Sequence, residues 1–215
     1  MFIKYKKRIY TSIILIFIIL LQFNYEKILV YSLIILSVLA IVEFINISKK
    51  IFKNYFYSFF SNIFFSIYIF LFCLLFLILS KYLFSKILIF TLLFGCIASD
   101  VGGFVIGKSI KGPKLTKISP KKTVYGSLGS FFFTIVTMSI LMELYTEIYF
   151  LNVIFLGFIT SLFCQLGDLF FSFLKRKARI KDTGNFLPGH GGILDRLDGI
   201  LFGIPAGLFF LIIIN

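Results

Sequence analysis

Tryptophan is absent from this 215-residue sequence, histidine occurs once, and there are only three cysteines and four prolines. Cys73, Cys96 and Cys164 each sit in an apolar run, and none has a second Cys or a His at ligand spacing. A disulfide framework and a Cys/His metal cluster are therefore excluded, and buried apolar thiols are expected. Acidic residues are also scarce: nine Asp and Glu face 22 Lys and Arg, for a net charge of +13. Charged residues make up 14% of the chain and hydrophobic ones 60%, with a mean hydropathy of +1.04. Soluble domains are about 45–50% apolar, so an ordinary water-soluble globule is excluded. A disordered chain is excluded too, because this composition buries apolar surface readily. A single core in water would leave too little polar surface to cover it. What remains is an all-α, polytopic membrane helical bundle with basic loops, and no nucleic-acid partner.

A bilayer core needs about 20 apolar residues per helix. The sequence predicts about seven transmembrane helices, near Ile9–Phe23, Ile28–Ile47, Tyr57–Leu79, Ile87–Ile106, Val124–Met142, Tyr149–Phe171 and Ile200–Ile214. The third could contain a break near Cys73. The first follows Lys4, Lys6, Lys7 and Arg8 like the start of a signal peptide, but no small-residue cleavage site follows it. It is expected to be a retained helix. With the N-terminus in the cytoplasm, 19 of the 22 Lys and Arg fall in cytoplasmic segments, and only Lys27, Lys81 and Lys86 face outward. Basic segments resist translocation, so this asymmetry fixes the expected orientation. The localisation expected is a bacterial-type inner membrane.

Acids divide differently. Glu26, Glu143 and Glu147 read as solvated charges in outer loops, and Glu43 as a charge snorkelling near the end of a span. Asp100, Asp168, Asp182, Asp195 and Asp198 gather toward the cytoplasmic side. A carboxylate at membrane depth is costly and normally has a partner or a task. By composition the chain divides into residues 1–95, a lipid-facing scaffold of Ile, Phe, Leu, Tyr and Ser, and residues 96–215, which hold every Asp, every Pro and the His. Catalysis is expected in the second region, with its two polar cytoplasmic loops.

The first loop runs from Ser99-Asp100-Val101-Gly102-Gly103 through Gly107-Lys108 to Ser119-Pro120-Lys121-Lys122-Thr123, Gly126 and Gly129. Glycines allow close backbone approach to a ligand, and lysines supply charge for phosphate. The hydroxyls before the next span could cap its helix. The plainer alternative is a basic loop that merely obeys the charge rule.

The second loop is more specific. Asp168, Ser172 and Lys175 lie at i, i+4 and i+7, on one face if the sixth span continues as a helix. Asp195 and Asp198 lie at i, i+3 where the last span starts and could point the same way. Gly189, Gly191 and Gly192 require a tight, non-helical connection between the two. Carboxylate oxygens suit a hard cation such as Mg²⁺ that shares its sphere with phosphates. Lys175, Arg176, Lys181 and Arg196 add phosphate-binding donors around the acids. Acid, base and glycine together suit metal-assisted phosphoryl or nucleotidyl transfer; the alternative is a set of salt bridges at helix ends. His190 could donate to a phosphate, act as an acid, or be a turn residue beside glycines.

At these positions the sequence resembles the phosphatidate cytidylyltransferases, or CDP-diacylglycerol synthases. The residues that carry the resemblance are Ser172, Lys175-Arg176, Lys181-Asp182, Pro188, His190-Gly191-Gly192, Asp195-Arg196 and Asp198, with Asp100, Gly107 and Ser119-Pro120-Lys121-Lys122-Thr123 in the first loop. It covers about residues 95–215, and the chain is expected to lack N-terminal spans that longer members have. Val124-Tyr125 stands where the family usually has an aromatic–Glu pair. The resemblance implies the reaction CTP + phosphatidate → CDP-diacylglycerol + pyrophosphate. It implies Mg²⁺, with a second cation as a further option, held by Asp168, Asp195 and Asp198. It further implies Asp168, Lys175, Arg176, Asp195 and Asp198 as catalytic residues. Ser172, Lys181, Asp182, His190, Gly191, Gly192, Arg196, Ser119, Lys121, Lys122 and Asp100 are implied in substrate binding, and a homodimer among membrane lipids as the assembly. The alternatives are a related cytidylyltransferase acting on another lipid phosphate, and a membrane transporter. A CDP-alcohol phosphotransferase is disfavoured, because Asp198-Gly199 is followed by Ile-Leu-Phe-Gly and lacks the Ala-Arg and later acids that family needs.

Overall fold

The computed structural model describes residues 2–110, 112–145, 150–184, 186 and 191–214. Eight helices follow one another among them: α1 (Phe2–Asn24), α2 (Glu26–Ile51), α3 (Tyr55–Ser80), α4 (Leu83–Ile110), α5 (Val124–Tyr145), α6 (Phe150–Lys177), α7 (Leu194–Leu197) and α8 (Ile200–Ile214). No strand occurs among the described residues, only an isolated antiparallel bridge between Lys114 and Thr123. The chain is a polytopic helical membrane protein. Among the described residues six helical stretches are long and apolar enough to cross a bilayer, and a shorter apolar stretch, Ile13–Asn24, lies within α1. The third span, which could have held a break near Cys73, is the uninterrupted helix α3.

The chain forms two compact units, residues 1–81 with 174–197 and residues 82–173 with 198–215. The first unit is discontinuous along the chain, because residues 174–197 join the first three helices.

In the first unit α2 packs against α1, α3 and α7. Leu29, Leu33, Ala40, Phe44 and Ile47 form its buried stripe, at the spacing a helical face requires. Phe44 stacks on Phe65 of α3 with ring centroids 3.9 Å apart, and Ser48 and Ser58 exchange a hydrogen bond at 2.9 Å. Gln22 of α1 donates to Ser32 of α2 at 2.7 Å. Asn54 starts α3 by accepting from the Phe56 N–H at 3.0 Å, an N-cap of the ordinary kind. At the C-terminus of α6, Arg179 takes a positive φ of 57°. The Ile180 N–H reaches the Lys175 carbonyl at 2.9 Å and the Arg179 N–H reaches that of Arg176 at 3.0 Å. These are the two bonds of a Schellman ending, here with Arg in the left-handed position that glycine usually takes.

The second unit holds α4, α5, most of α6 and α8. Its glycines correct the expectation for the first loop. Ser99–Ile110 is helix, so Gly102, Gly103 and Gly107 lie within α4, and Gly126 and Gly129 within α5. A Cβ on Gly102 would stand 2.5 Å from the Gly129 carbonyl oxygen, and one on Gly129 2.5 Å from Ile106. These glycines bring two helices together and do not approach a ligand, as small residues do where lipid offers no hydrophobic drive to packing. Buried hydroxyls find partners across the seam. Ser130 of α5 donates to the Ser99 carbonyl of α4 at 2.8 Å and Thr134 of α5 to the Gly95 carbonyl of α4 at 3.2 Å, while Ser99 meets Ser161 of α6 at 3.1 Å. Such internal satisfaction is required at membrane depth. Cys96 and Cys164 are buried as expected, and Cys73 partly so.

Candidate functional site

Residues 112–123 of the first polar loop fold back on themselves. The Leu115 N–H bonds to the Lys122 carbonyl at 2.8 Å and the Val124 N–H to that of Pro113 at 3.0 Å. Gly112 takes a φ of 116°, a conformation that suits glycine. Thr123 caps α5, accepting from the Gly126 N–H at 3.1 Å, which is the capping expected of this run. The fold of the loop directs Lys122 onto Asp168 of α6 in an ion pair. Asp168 also accepts from Ser172, one turn on, at 3.3 Å, and its side chain is 27% exposed. One turn of α6 therefore carries a solvent-reachable carboxylate and a hydroxyl, with an ammonium from the loop beside them. Nearby, Gln165 accepts from the Ser127 hydroxyl at 2.5 Å and donates to Ser161 at 3.3 Å, tying α6 to α5. Asp198 belongs to the same unit. It is buried, accepts from the Gly199 N–H at 2.9 Å, and its carbonyl oxygen lies 2.4 Å from where a Cβ on Gly167 would be. Only glycine at 167 lets the residue beside Asp168 lie against the Asp198 backbone.

A second cluster forms in the other unit. Lys175 pairs with Asp195 at 2.6 Å, and both side chains are about nine-tenths buried. The other Asp195 oxygen accepts from the Thr183 N–H at 2.9 Å and the Gly192 N–H at 3.1 Å. Gly191, with φ of 86°, passes 3.0 Å from that oxygen at its Cβ position, while Gly189 of the expected tight connection lies outside the described residues. Thr183 and Glu43 complete the cluster, and neither was expected. Glu43, on α2, is 1% exposed. It accepts from Thr183 Oγ1 at 2.6 Å, the Ile193 N–H at 3.0 Å and the Leu194 N–H at 2.9 Å. The snorkelling expected of it is therefore corrected: its carboxylate is turned inward because backbone donors there replace water. The signal that could have found it is in the sequence, a lone acid within a long apolar run.

The other expected residues are placed as follows. α6 continues to Lys177, beyond the expected end of the span, so Asp168, Ser172 and Lys175 do lie on one helix. Asp195 and Asp198 do not share one: α7 ends at Leu197 and α8 begins at Ile200, because Asp198-Gly199 interrupts the ladder. Asp100 is exposed on α4, and Lys121, Arg176, Lys181, Asp182 and Arg196 are exposed, while Ser119 is half-buried. His190 and Pro188, like Glu147, lie outside the described residues. Among the described residues no three His, Cys, Asp or Glu side chains are grouped to hold a metal ion by themselves.

A sequence model described as the cytidylyltransferase family matches residues 4–214. The chain belongs to the cytidylyltransferase family. The match extends well beyond the 95–215 region that carries the motifs, so α1 to α3 are part of the family's pattern too. A protein of Synechocystis named phosphatidate cytidylyltransferase is 40% identical over 133 residues, covering 60% of this chain and 44% of that protein. One of Helicobacter pylori with the same name is 42% identical over 131 residues, covering 60% and 49%. One of Bacillus subtilis, again so named, is 40% identical over 126 residues, covering 56% and 46%. This cytidylyltransferase-family chain thus matches about half the length of these curated relatives.

Proposed function

We propose that the protein is a membrane nucleotidyltransferase that converts CTP and phosphatidate to CDP-diacylglycerol and pyrophosphate. The observation that carries this reading is the pairing of lysine with aspartate at two places on the polar part of α6: Lys122 with Asp168 and Lys175 with Asp195. Family membership supports it, as do the names of the relatives. The nucleophile is the lipid's own phosphate oxygen, which attacks the α-phosphorus of CTP. A phosphate monoester has a second pKa of about 6 and is already anionic near neutral pH, so no strong protein base is needed. The task left to the protein is to bring two anions together and let pyrophosphate leave.

The chain's own residues fit that task. Lys122 and Lys175 are held in place by their carboxylates and can turn toward phosphate oxygens. Ser172 offers a hydroxyl from the same helix as Asp168. Exposed Lys121, Arg176, Lys181 and Arg196 provide the outer field that draws in the triphosphate and the lipid head group. The donor set also fits a hard cation. It consists of carboxylate oxygens, and the ammonium groups on Asp168 and Asp195 mark both positions as places where positive charge is accommodated. Asp168 and Asp198, in one unit, and Asp195, in the other, are the candidate ligands for Mg²⁺, which binds through one or two carboxylates together with substrate phosphates and water, without a full protein cage. When bound, it would neutralise triphosphate charge and stabilise the leaving pyrophosphate. The acyl chains would enter from lipid between apolar helices, and CTP from the cytoplasm, the side to which basic segments are assigned. A homodimer in the bacterial inner membrane completes the reading.

The test is incubation of the purified protein with labelled CTP, Mg²⁺ and phosphatidate. A lipid-linked CMP is the expected product, and its yield should fall at least about a hundredfold in Asp168→Asn. Its absence from the wild-type reaction would refute the assignment. A prenyl or ether-linked phosphate accepted in place of phosphatidate would redirect it to another lipid acceptor.

A further inference from the structure

Glu43 lies 57 residues or more from every residue that carried the resemblance, yet two other segments of the chain meet on its carboxylate. Thr183 comes from the stretch that follows α6, and Ile193 and Leu194 from the start of α7. All of these residues belong to one compact unit. The contacts are close enough to determine sequence around them. A Cβ on Gly184 would stand 2.4 Å from one Glu43 oxygen, and one on Gly192 2.4 Å from the other. Glycine at both positions is thus explained by the buried carboxylate, with no ligand required.

The hydrogen-bond inventory shows what Glu43 does. Among the described residues its hydrogen-bond partners are donors: two backbone N–H groups and one hydroxyl. Thr183 has a single hydroxyl proton and two carboxylate neighbours, Glu43 at 2.6 Å and Asp195 at 3.1 Å. The shorter contact takes the proton. Glu43 therefore fixes the Thr183 side chain, and the Thr183 and Gly192 N–H groups are left aimed at Asp195. Asp195 in turn holds Lys175. The chain of contacts runs from a transmembrane helix of the supposed scaffold to an ammonium group assigned to phosphate.

We propose that Glu43 is a positioning residue: it clamps residues 183–184 and 192–194 so that Asp195 presents Lys175 in the orientation transfer needs. The role rests on the function proposed above for Lys175, but the clamp itself can be measured without turnover. Glu43→Gln preserves shape and replaces one acceptor oxygen by an NH₂ group, which must then face a donor. Thr183→Val removes only the shared hydroxyl, and Thr183→Ser retains it.

The experiment labels lysines of the detergent-purified full chain with an amine-reactive reagent, with exposed Lys53 as internal reference, and follows CTP-dependent transfer in the same preparations. In wild type, buried and paired Lys175 should label slowly. In Glu43→Gln and Thr183→Val its rate relative to Lys53 should rise at least about fivefold, as loss of one buried hydrogen bond would produce. The kcat should fall at least about tenfold while the KM for CTP stays within about twofold, the pattern of a displaced but still present group. Thr183→Ser should behave as wild type in both. Folded Glu43→Gln or Thr183→Val protein with Lys175 as protected as in wild type overturns the proposal. So does Thr183→Ser with the defects of Thr183→Val. Should Glu43→Gln fail to fold, the Val and Ser variants at 183 decide the question. If the wild type makes no CDP-lipid, the functional reading fails and the labelling alone decides the clamp.

Discussion

Asp195 and Lys175 show how much a single side chain is asked to do. Their side chains are about nine-tenths buried, and removing one partner of such a pair leaves the other charge uncompensated. Lys175→Ala is expected to lower kcat/KM at least about thirtyfold, since a charge-assisted contact to phosphate is worth about 2 kcal/mol or more. Steady-state kinetics at fixed Mg²⁺ checks this, and unchanged constants would reduce Lys175 to a loop charge. Most of these residues were visible in the chain itself: Asp168, Ser172 and Lys175 at helical spacing, and Asp195 beside glycines. Glu43 and Thr183 were not. A glutamate among isoleucines announces a buried task but not its partner, and the donors that satisfy it come from residues 183 and 193–194. Distances of that kind along the chain are invisible to any local pattern.

Helices were legible nearly to the residue. A bilayer requires long apolar runs, and each expected span lies within the extent of a helix, apart from Tyr149 of the sixth, which lies outside the described residues. What local reading misjudged was the polar edges. Ser99–Ile110, with three glycines and an aspartate, looks like a loop in isolation, yet it continues α4 because α5 covers its glycine face. Gly102→Leu would force a branched side chain against the Gly129 carbonyl, 2.5 Å from the Cβ position. Overpacking of this kind costs about 1–3 kcal/mol, so the thermal midpoint in detergent should drop by several degrees, roughly 2–4 °C for each kcal/mol in a chain of this length. Leu128→Ala, at an exposed position of α5, should leave the midpoint nearly unchanged. Equal midpoints for the two variants would show that the α4–α5 contact carries little of the stability. The interruption at Asp198-Gly199 was also hidden, since two aspartates three residues apart read equally well as one helix face or as two sides of a break.

At the scale of the whole molecule, charge and span count together predict sidedness. Lys117 in the loop before α5 and Lys81 after α3 are both exposed, and the basic asymmetry assigns them to opposite faces. In a variant lacking the three native cysteines, Lys117→Cys should react with an impermeant maleimide only after cells are opened, and Lys81→Cys in intact cells. The reverse pattern would invert the orientation and place the lysine–aspartate pairs away from cytoplasmic CTP.

Composition alone determined that this protein is a helical membrane protein, because a chain so apolar and so poor in charge has no stable form in water. The spacing of acids, lysines and glycines determined the family it resembles. Only the tertiary structure decided that glycines of the first loop serve helix packing. It alone brought a segment from the second half to the first three helices and turned Glu43 inward. The reason is the same in each case: a polar group or bare backbone at membrane depth must be satisfied by whatever the fold places beside it, and the neighbour that does so is fixed in space, not along the chain.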